Sequence, residues 1–169
     1  MKHLILVRHA KSSWKNPGME DHDRPLSKRG KRDAPFMAKI FRDKKITPDL
    51  LASSTAVRAV AIAEEFADKL DYKKSKIRKN SELYLSETDN LLQYVQSLDN
   101  EDKTVMIFGH NPGITWFANY LTDGSIDNVP TSGIVAIDFD VKKWKEVSAG
   151  SGKLIFFEYP KLYFKDAED

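Results

Sequence analysis

The stretch Leu4-Ile5-Leu6-Val7-Arg8-His9-Ala10 decides how the rest of the chain is read. Four consecutive aliphatic residues match a strand buried on both faces, as at the centre of a parallel sheet. The run then gives way at once to an arginine and a histidine. In open α/β sheets ligands gather beyond the carboxyl ends of the strands, so Arg8 and His9 fall where a binding site is expected.

Outward from this strand, residues 11–25 form a polar loop with a turn signal at Asn16-Pro17-Gly18. Ser27 then suits the cap of a helix on which Ala34, Met37, Ala38 and Phe41 share one face. Pro35 fits that helix only in its first turn or at a kink. Leu50-Leu51-Ala52 reads as a second strand ending in Ser53-Ser54-Thr55. A helix over residues 56–70 is predicted to bury Ala56, Ala59, Val60, Ala63, Ala67 and Leu70. A shorter helix carries Leu91, Tyr94, Val95 and Leu98, and residues 104–108 form the next buried strand. That strand runs into Gly109-His110-Asn111-Pro112-Gly113, where Asn111 suits a cap and Pro112 the first helical position. Residues 134–139 and 154–159 read as two closing strands, and the charged tail 165–169 is expected to fray. Strands alternating with helices, then a terminal β pair, predict a three-layer α/β/α sandwich with a mostly parallel central sheet. At 169 residues, one domain spanning 1–169 is expected.

Composition removes several classes of function. Twenty-seven basic against 25 acidic residues leave a net charge of +2, which makes no case for a nucleic-acid or membrane partner. The chain has no cysteine, which excludes disulfides, thiolate catalysis and cysteine zinc sites. No apolar run approaches the ~20 residues of a membrane helix. The N-terminal run is too short and too soon charged for an export signal, so a cytoplasmic location is expected. No histidine and carboxylate cluster has metal-ligand spacing, so neither metal nor cofactor is expected.

Chemistry-bearing residues recur at three strand-to-helix junctions: Arg8-His9, then Ser54 with Arg58, then His110-Asn111. Arg58 falls in the first turn of its helix, where the macrodipole disfavours a cation by a few tenths of a kcal/mol or more. A bound anion reverses that penalty. Arginine forks match phosphate oxygens, and the helix after His110 offers free N–H groups to an anion. With two histidines present, His9 can attack phosphorus to give a phosphohistidine that water later cleaves. Its ring must be unprotonated, with the other nitrogen held by an acceptor such as a backbone carbonyl. Arg8, Arg58 and His110 would hold the equatorial oxygens. Taken singly, each residue has a plainer reading as a cap, a surface ion pair or part of a turn; the joint recurrence carries the site.

These segments also carry a resemblance. Leu6-Val7-Arg8-His9-Ala10 is similar to the RHG/RHA signature of the histidine phosphatase superfamily, which includes the phosphoglycerate mutases. Ser53-Ser54-Thr55-Ala56-Val57-Arg58-Ala59 resembles its second arginine segment, and Gly109-His110-Asn111-Pro112-Gly113 its second histidine segment. Arg8-His9-Ala10-Lys11-Ser12-Ser13-Trp14, Asp23-Arg24-Pro25-Leu26 and Arg29-Gly30 resemble the short SixA-type phosphohistidine phosphatases. The resemblance implies a phosphoglycerate mutase-like fold with His9 as nucleophile, Arg8 and Arg58 as phosphate ligands and His110 as stabiliser of the transferring group. Asn111, Ser54 and Lys11 are secondary phosphate-binding candidates.

One departure bears on the substrate. Many superfamily members with alcohol leaving groups follow the second arginine with a glutamate segment ending in a Trp-Glu-Gly-like pattern. Here the region reads Ser81-Glu82-Leu83-Tyr84-Leu85-Ser86-Glu87, and Glu82 is the nearest candidate for general acid. An alkoxide leaving group gains ~10²–10⁴-fold from an acid. The imidazole of a phosphohistidine, whose conjugate acid has a pKa of about 6.5, departs with little help.

The leading expectation is therefore a metal-independent phosphatase acting through phospho-His9, on phosphohistidine in a protein or on a small phosphorylated compound. The alternatives are a small-molecule phosphomonoesterase or phosphoglycerate-type mutase, and a non-catalytic phosphate or phosphoprotein binder. Lys73, Lys74, Lys76, Arg78 and Lys79 read as a solvated edge, with docking of an acidic phosphoprotein as the functional alternative. Trp14, Trp116 and Trp144 read as packing residues, Trp14 with a place on the pocket rim as its alternative. His3 and His22 read as structural, and Asp23-Arg24 as an ion pair fixing the first loop.

Overall fold

The computed structural model describes residues 1–165. Its strands are β1 (Lys2–Arg8), β2 (Leu50–Ser53), β3 (Arg78–Lys79), β4 (Thr104–Gly109), β5 (Ile134–Phe139) and β6 (Gly152–Glu158). Its helices are α1 (Lys28–Asp43), α2 (Val57–Lys69), α3 (Thr88–Gln96) and α4 (Gly113–Leu121). The strands form one mixed sheet in the order β3-β2-β4-β1-β5-β6. The β3-β2-β4-β1 part is parallel, whereas β5 and β6 join antiparallel.

Two apolar clusters sandwich the sheet. Leu4 and Leu6 of β1 point to the side of α3 and α4, where Val95, Ile114, Phe117 and Leu121 cover them. Ile5 and Val7 point the other way, onto Met37 and Phe41 of α1 and Ile62 and Phe66 of α2. The alternation of side chains along a strand makes β1 buried on both faces, with Leu4, Leu6 and Val7 fully excluded from solvent. The three-layer architecture and its mostly parallel sheet therefore follow the hydrophobic pattern.

Local details depart from the sequence expectations. Pro35 lies inside α1, beyond the first turn, and the helix runs on through it. The buried stripe of α2 is rotated: Ile62 and Phe66 are core, while Val60 and Leu70 are half-buried. The bulkier side chains take the sheet-facing positions, and the alanines fill the space between them. Of the three tryptophans only Trp144 is core, fully buried with Nε1 donating to the Asp102 carbonyl (2.7 Å). Trp14 and Trp116 are 70% and 57% exposed. The lysine-rich stretch forms a 3₁₀ turn (Lys74–Lys76) and the two-residue edge strand β3, both exposed, as suits a solvated edge. The tail expected to fray lies, apart from Lys165, outside the described residues. Among those residues no helix is long and apolar enough to cross a membrane.

Candidate active site

Strand register assembles the site. Arg8 pairs with Gly109 across β1 and β4, so His9 and His110, the next residue of each strand's extension, emerge side by side. Ser53 pairs with Phe108 across β2 and β4, and the Ser54 N–H continues the ladder to the Phe108 carbonyl (3.1 Å). The His9 N–H is held by the Gly109 carbonyl (3.0 Å). Three parallel strands thus end level, and their C-terminal residues share one edge. His9, His110, Arg58 and Ser54 are all buried there.

The two imidazoles stand 5.1 Å apart between ring centroids, tilted by 46°. His9 Nδ1 lies 2.8 Å from the Ala10 carbonyl. A carbonyl only accepts, so Nδ1 carries the proton and Nε2 keeps its lone pair. Burial is the largest influence on this ring and drives its pKa well below 6.5, opposed by the Ala10 bond and reinforced by His110, Arg58 and Arg8. His9 is thus a neutral imidazole with an available nitrogen at neutral pH.

His110 is fixed on both sides. The Arg58 Nη2 group lies 3.4 Å from its Nδ1, and Ser54 Oγ lies 2.6 Å from its Nε2. A guanidinium can only donate, so Nδ1 accepts and Nε2–H donates to Ser54. Ser54 Oγ also accepts the Ala56 N–H (3.3 Å), which ties this hydroxyl to the start of α2. Burial, followed by the Arg58 charge, lowers the His110 pKa to about 3.

Arg58 occupies the first turn of α2 as its position in the sequence implies. Its fork is taken by the 3₁₀ turn Asp21–Asp23: Nη1 donates to the Asp21 carbonyl (2.6 Å) and Nη2 to Asp21 Oδ2 (2.8 Å). The same carboxylate receives the Tyr84 hydroxyl (2.6 Å) and Arg24 Nη1 (2.9 Å). The Tyr84 ring meets the His110 ring edge-on at 5.1 Å, and the His22 ring meets Tyr84 at 5.1 Å. Arg8 Nη1 donates to the Val129 carbonyl (3.0 Å), and its charge reaches both histidines.

The remaining sequence candidates divide. Asn111 is spent on structure: its Nδ2 donates to Asn128 Oδ1 and the Val129 carbonyl, and its Oδ1 accepts the Thr115 N–H and hydroxyl. The Lys11 carbonyl accepts from Ser27 N and Oγ, anchoring the segment after His9 to the cap of α1. Glu82 lines a separate cleft with Asn90, Gln93 and Tyr94, and the residue from its segment that packs on His110 is Tyr84. The expected Asp23–Arg24 pair is replaced: Arg24 pairs with Asp21, and Asp23 with His22 (3.1 Å). The 3₁₀ turn explains this, because it brings residues 21 and 24 together. Arg24 also stacks its guanidinium 3.2 Å from the Trp14 ring centroid, which puts Trp14 on the surface beside this loop. His3 is the structural residue its position suggests, bonded to Asp138 (2.6 Å).

With two histidines and two arginines at the carboxyl edge of a phosphoglycerate mutase-like sheet, the chain belongs to the histidine phosphatase superfamily (branch 1), whose family model matches residues 4–89. Its function is phosphatase- or mutase-like. A SixA protein from Agrobacterium tumefaciens superimposes with a TM-score of 0.80 at 27% identity, covering 94% of this chain and 98% of that one. The protein histidine phosphatase SixA complexed with tungstate shares the fold at 23% identity, with a TM-score of 0.77 and coverage of 92% and 95%. An uncharacterized chloroplastic protein of Arabidopsis thaliana is 30% identical over 159 residues, 89% of this chain and 72% of that protein.

Proposed function

We propose that this chain is a metal-independent phosphohistidine phosphatase of the SixA type that works through phospho-His9. The observation that carries the reading is the His9 Nδ1–Ala10 carbonyl bond, which leaves Nε2 unprotonated beside His110. In the first step Nε2 attacks phosphorus and the bond to the leaving group breaks with its electron pair. In the second, water attacks the phosphoramidate, inorganic phosphate leaves, and the electron pair returns to Nε2. Arg8 and Arg58 supply the positive charge around the phosphoryl oxygens as charge redistributes, and His110 donates to them once a bound anion displaces the Arg58 contact at Nδ1 and the ring takes up a proton.

The leaving group is an imidazole rather than an alkoxide. Support comes from the segment around Tyr84: it offers a phenol, bonded to Asp21, on the flank of His110, while Glu82 lines another cleft. Burial and the Asp21 bond raise the Tyr84 pKa, which makes this hydroxyl a poorer acid than an ordinary phenol. A phosphohistidine does not need that acid. The substrate is then a phosphohistidine-carrying protein in the cytoplasm.

The test is to trap labelled phosphate on the protein as an acid-labile adduct and map it. Label at His9, absent from His9→Ala, with hydrolysis of a phosphohistidine peptide undiminished by chelator, is the expected result. Full hydrolysis by His9→Ala refutes the mechanism. A preference for phosphomonoesters over phosphohistidine and phosphoramidate refutes the substrate.

A further inference from the structure

Asp21 is not one of the superfamily-like residues, yet it makes more polar contacts around Arg58 than any of them. Its carboxylate takes Arg58 Nη2 (2.8 Å), Arg24 Nη1 (2.9 Å) and the Tyr84 hydroxyl (2.6 Å), and its own carbonyl takes Arg58 Nη1 (2.6 Å). Arg58 Nε is buried and has no hydrogen-bond partner among the described residues, so one donor of this arginine is left over inside the site. Arg58 Nη2 in turn lies 3.4 Å from His110 Nδ1. One guanidinium therefore stands between the Asp21 carboxylate and the ring that would face a phosphoryl group. The side chain of Asp21 is 43% exposed, so it reaches from the buried Arg58 to solvent at the edge of the site. First the Tyr84 hydroxyl and then Arg58 and Arg24 hold its pKa far below the usual carboxylate range, and its charge persists at every working pH.

We propose that Asp21 is a specificity-determining residue whose fixed negative charge beside the phosphoryl pocket favours substrates with a neutral or cationic group next to the phosphoryl and disfavours those with a second anion there. The inference rests on the phosphoryl-pocket reading of Arg58 and His110. A carboxylate on the substrate meets Asp21 as a like charge, whereas an imidazole N–H or an ammonium meets it as a partner. Tyr84, from the segment in which the resemblance to alcohol-specific superfamily members leads one to look for a glutamate, holds Asp21 Oδ2 while Arg24 holds Oδ1. The same arrangement that omits an acid thus supplies an anion.

The experiment compares two probes with the same phosphomonoester head: O-phosphoethanolamine, with an ammonium, and 3-phosphoglycerate, with a carboxylate. Binding is measured by calorimetry in a His9→Ala background, where neither is consumed, with inorganic phosphate as reference. The Asp21 protein is expected to prefer O-phosphoethanolamine, and Asp21→Asn to shift the ratio of the two Kd values about tenfold towards 3-phosphoglycerate, the size of one unit charge removed from a partly screened neighbouring site. Asp21→Glu, which keeps the charge, is expected to retain the original preference. A ratio unchanged within twofold in Asp21→Asn overturns the inference and leaves the phosphatase reading intact. An equal loss of both probes in Asp21→Asn also overturns it, because that marks Asp21 as only a prop for Arg58. If the Asp21 protein binds neither probe nor inorganic phosphate, the phosphoryl pocket itself is refuted.

Discussion

Gly30→Ala is the substitution that most directly tests how the fold holds His9, the proposed nucleophile. A Cβ at residue 30 would stand 2.1 Å from the Lys11 carbonyl oxygen. An ordinary carbon–oxygen approach is about 3.3 Å, so α1 and the segment after β1 must separate by about 1 Å. The carbonyl cannot swing aside cheaply, because it accepts both Ser27 N (2.8 Å) and Ser27 Oγ (3.1 Å) at the cap of α1. Lys11 follows Ala10, whose carbonyl fixes His9 Nδ1, so the displacement is passed to the attacking ring within two residues. Overpacking of this kind costs about 1–3 kcal/mol, a loss of roughly 2–10 °C in Tm for a chain of this size. A shift of about 1 Å near the reacting atoms costs on the order of 10²-fold in rate. The assay is kcat/KM on a phosphohistidine peptide together with thermal melting by circular dichroism. Gly18→Ala is the control, since its Cβ would meet nothing nearer than Asn16 Oδ1 at 3.7 Å. Wild-type kcat/KM and Tm in Gly30→Ala would show that the contact with Lys11 does not position His9.

Three further outcomes follow from the same geometry. Ser54→Ala removes the acceptor of His110 Nε2–H, and the unpaired buried donor is expected to cost about 1–3 kcal/mol of stability, read by urea unfolding, while kcat/KM drops because the ring loses its tie. Stability should also fall as pH drops below about 6.5, because the unfolded chain protonates both histidines there while burial keeps His9 neutral well below that pH and His110 neutral down to about 3. Urea titrations at pH 7, 6 and 5 check the sign, and a slope that His9→Gln plus His110→Gln does not flatten contradicts it. Glu82→Gln is expected to change kcat/KM on phosphomonoesters and on phosphohistidine by less than about twofold, since a general acid is worth ~10²–10⁴-fold and Glu82 lines a different cleft. A large loss confined to phosphomonoesters would return Glu82 to the site.

The parts of the site legible in the sequence are those created by short-range pattern. His9 and His110 each follow an apolar run of strand length, and Arg58 sits in a helix's first turn, so a parallel sheet forces them to one edge whatever the loops do. Asp21, His22 and Tyr84 were out of reach for the opposite reason. Asp21 meets Arg58 across 37 residues and Tyr84 across 63; Asp21 lies in one 3₁₀ turn and Tyr84 caps another, with no hydrophobic period to announce either. The only local sign was the Asp-x-x-Arg spacing of residues 21 and 24, which a 3₁₀ turn closes into an ion pair. The rotated stripe of α2 has a similar origin. Several alanines satisfy helical spacing on adjacent faces, and it is tertiary volume that selects the face carrying Ile62 and Phe66.

The charge balance of the site is what fits His9 to the proposed role of nucleophile. Two guanidiniums close to two imidazoles would, in water, be an unremarkable cationic cluster. At the buried end of three strands, burial makes a proton on either ring costly, and the same cations add to the effect. The rings therefore give up charge while the arginines, whose protons cannot be removed, keep theirs. That division leaves a lone pair on His9 Nε2 and positive charge on the arginines, the distribution the proposed attack on phosphorus calls for. Asp21 offsets part of the Arg58 charge through its 2.8 Å ion pair, so the net charge this arginine offers an anion is set by the loop that carries Asp21.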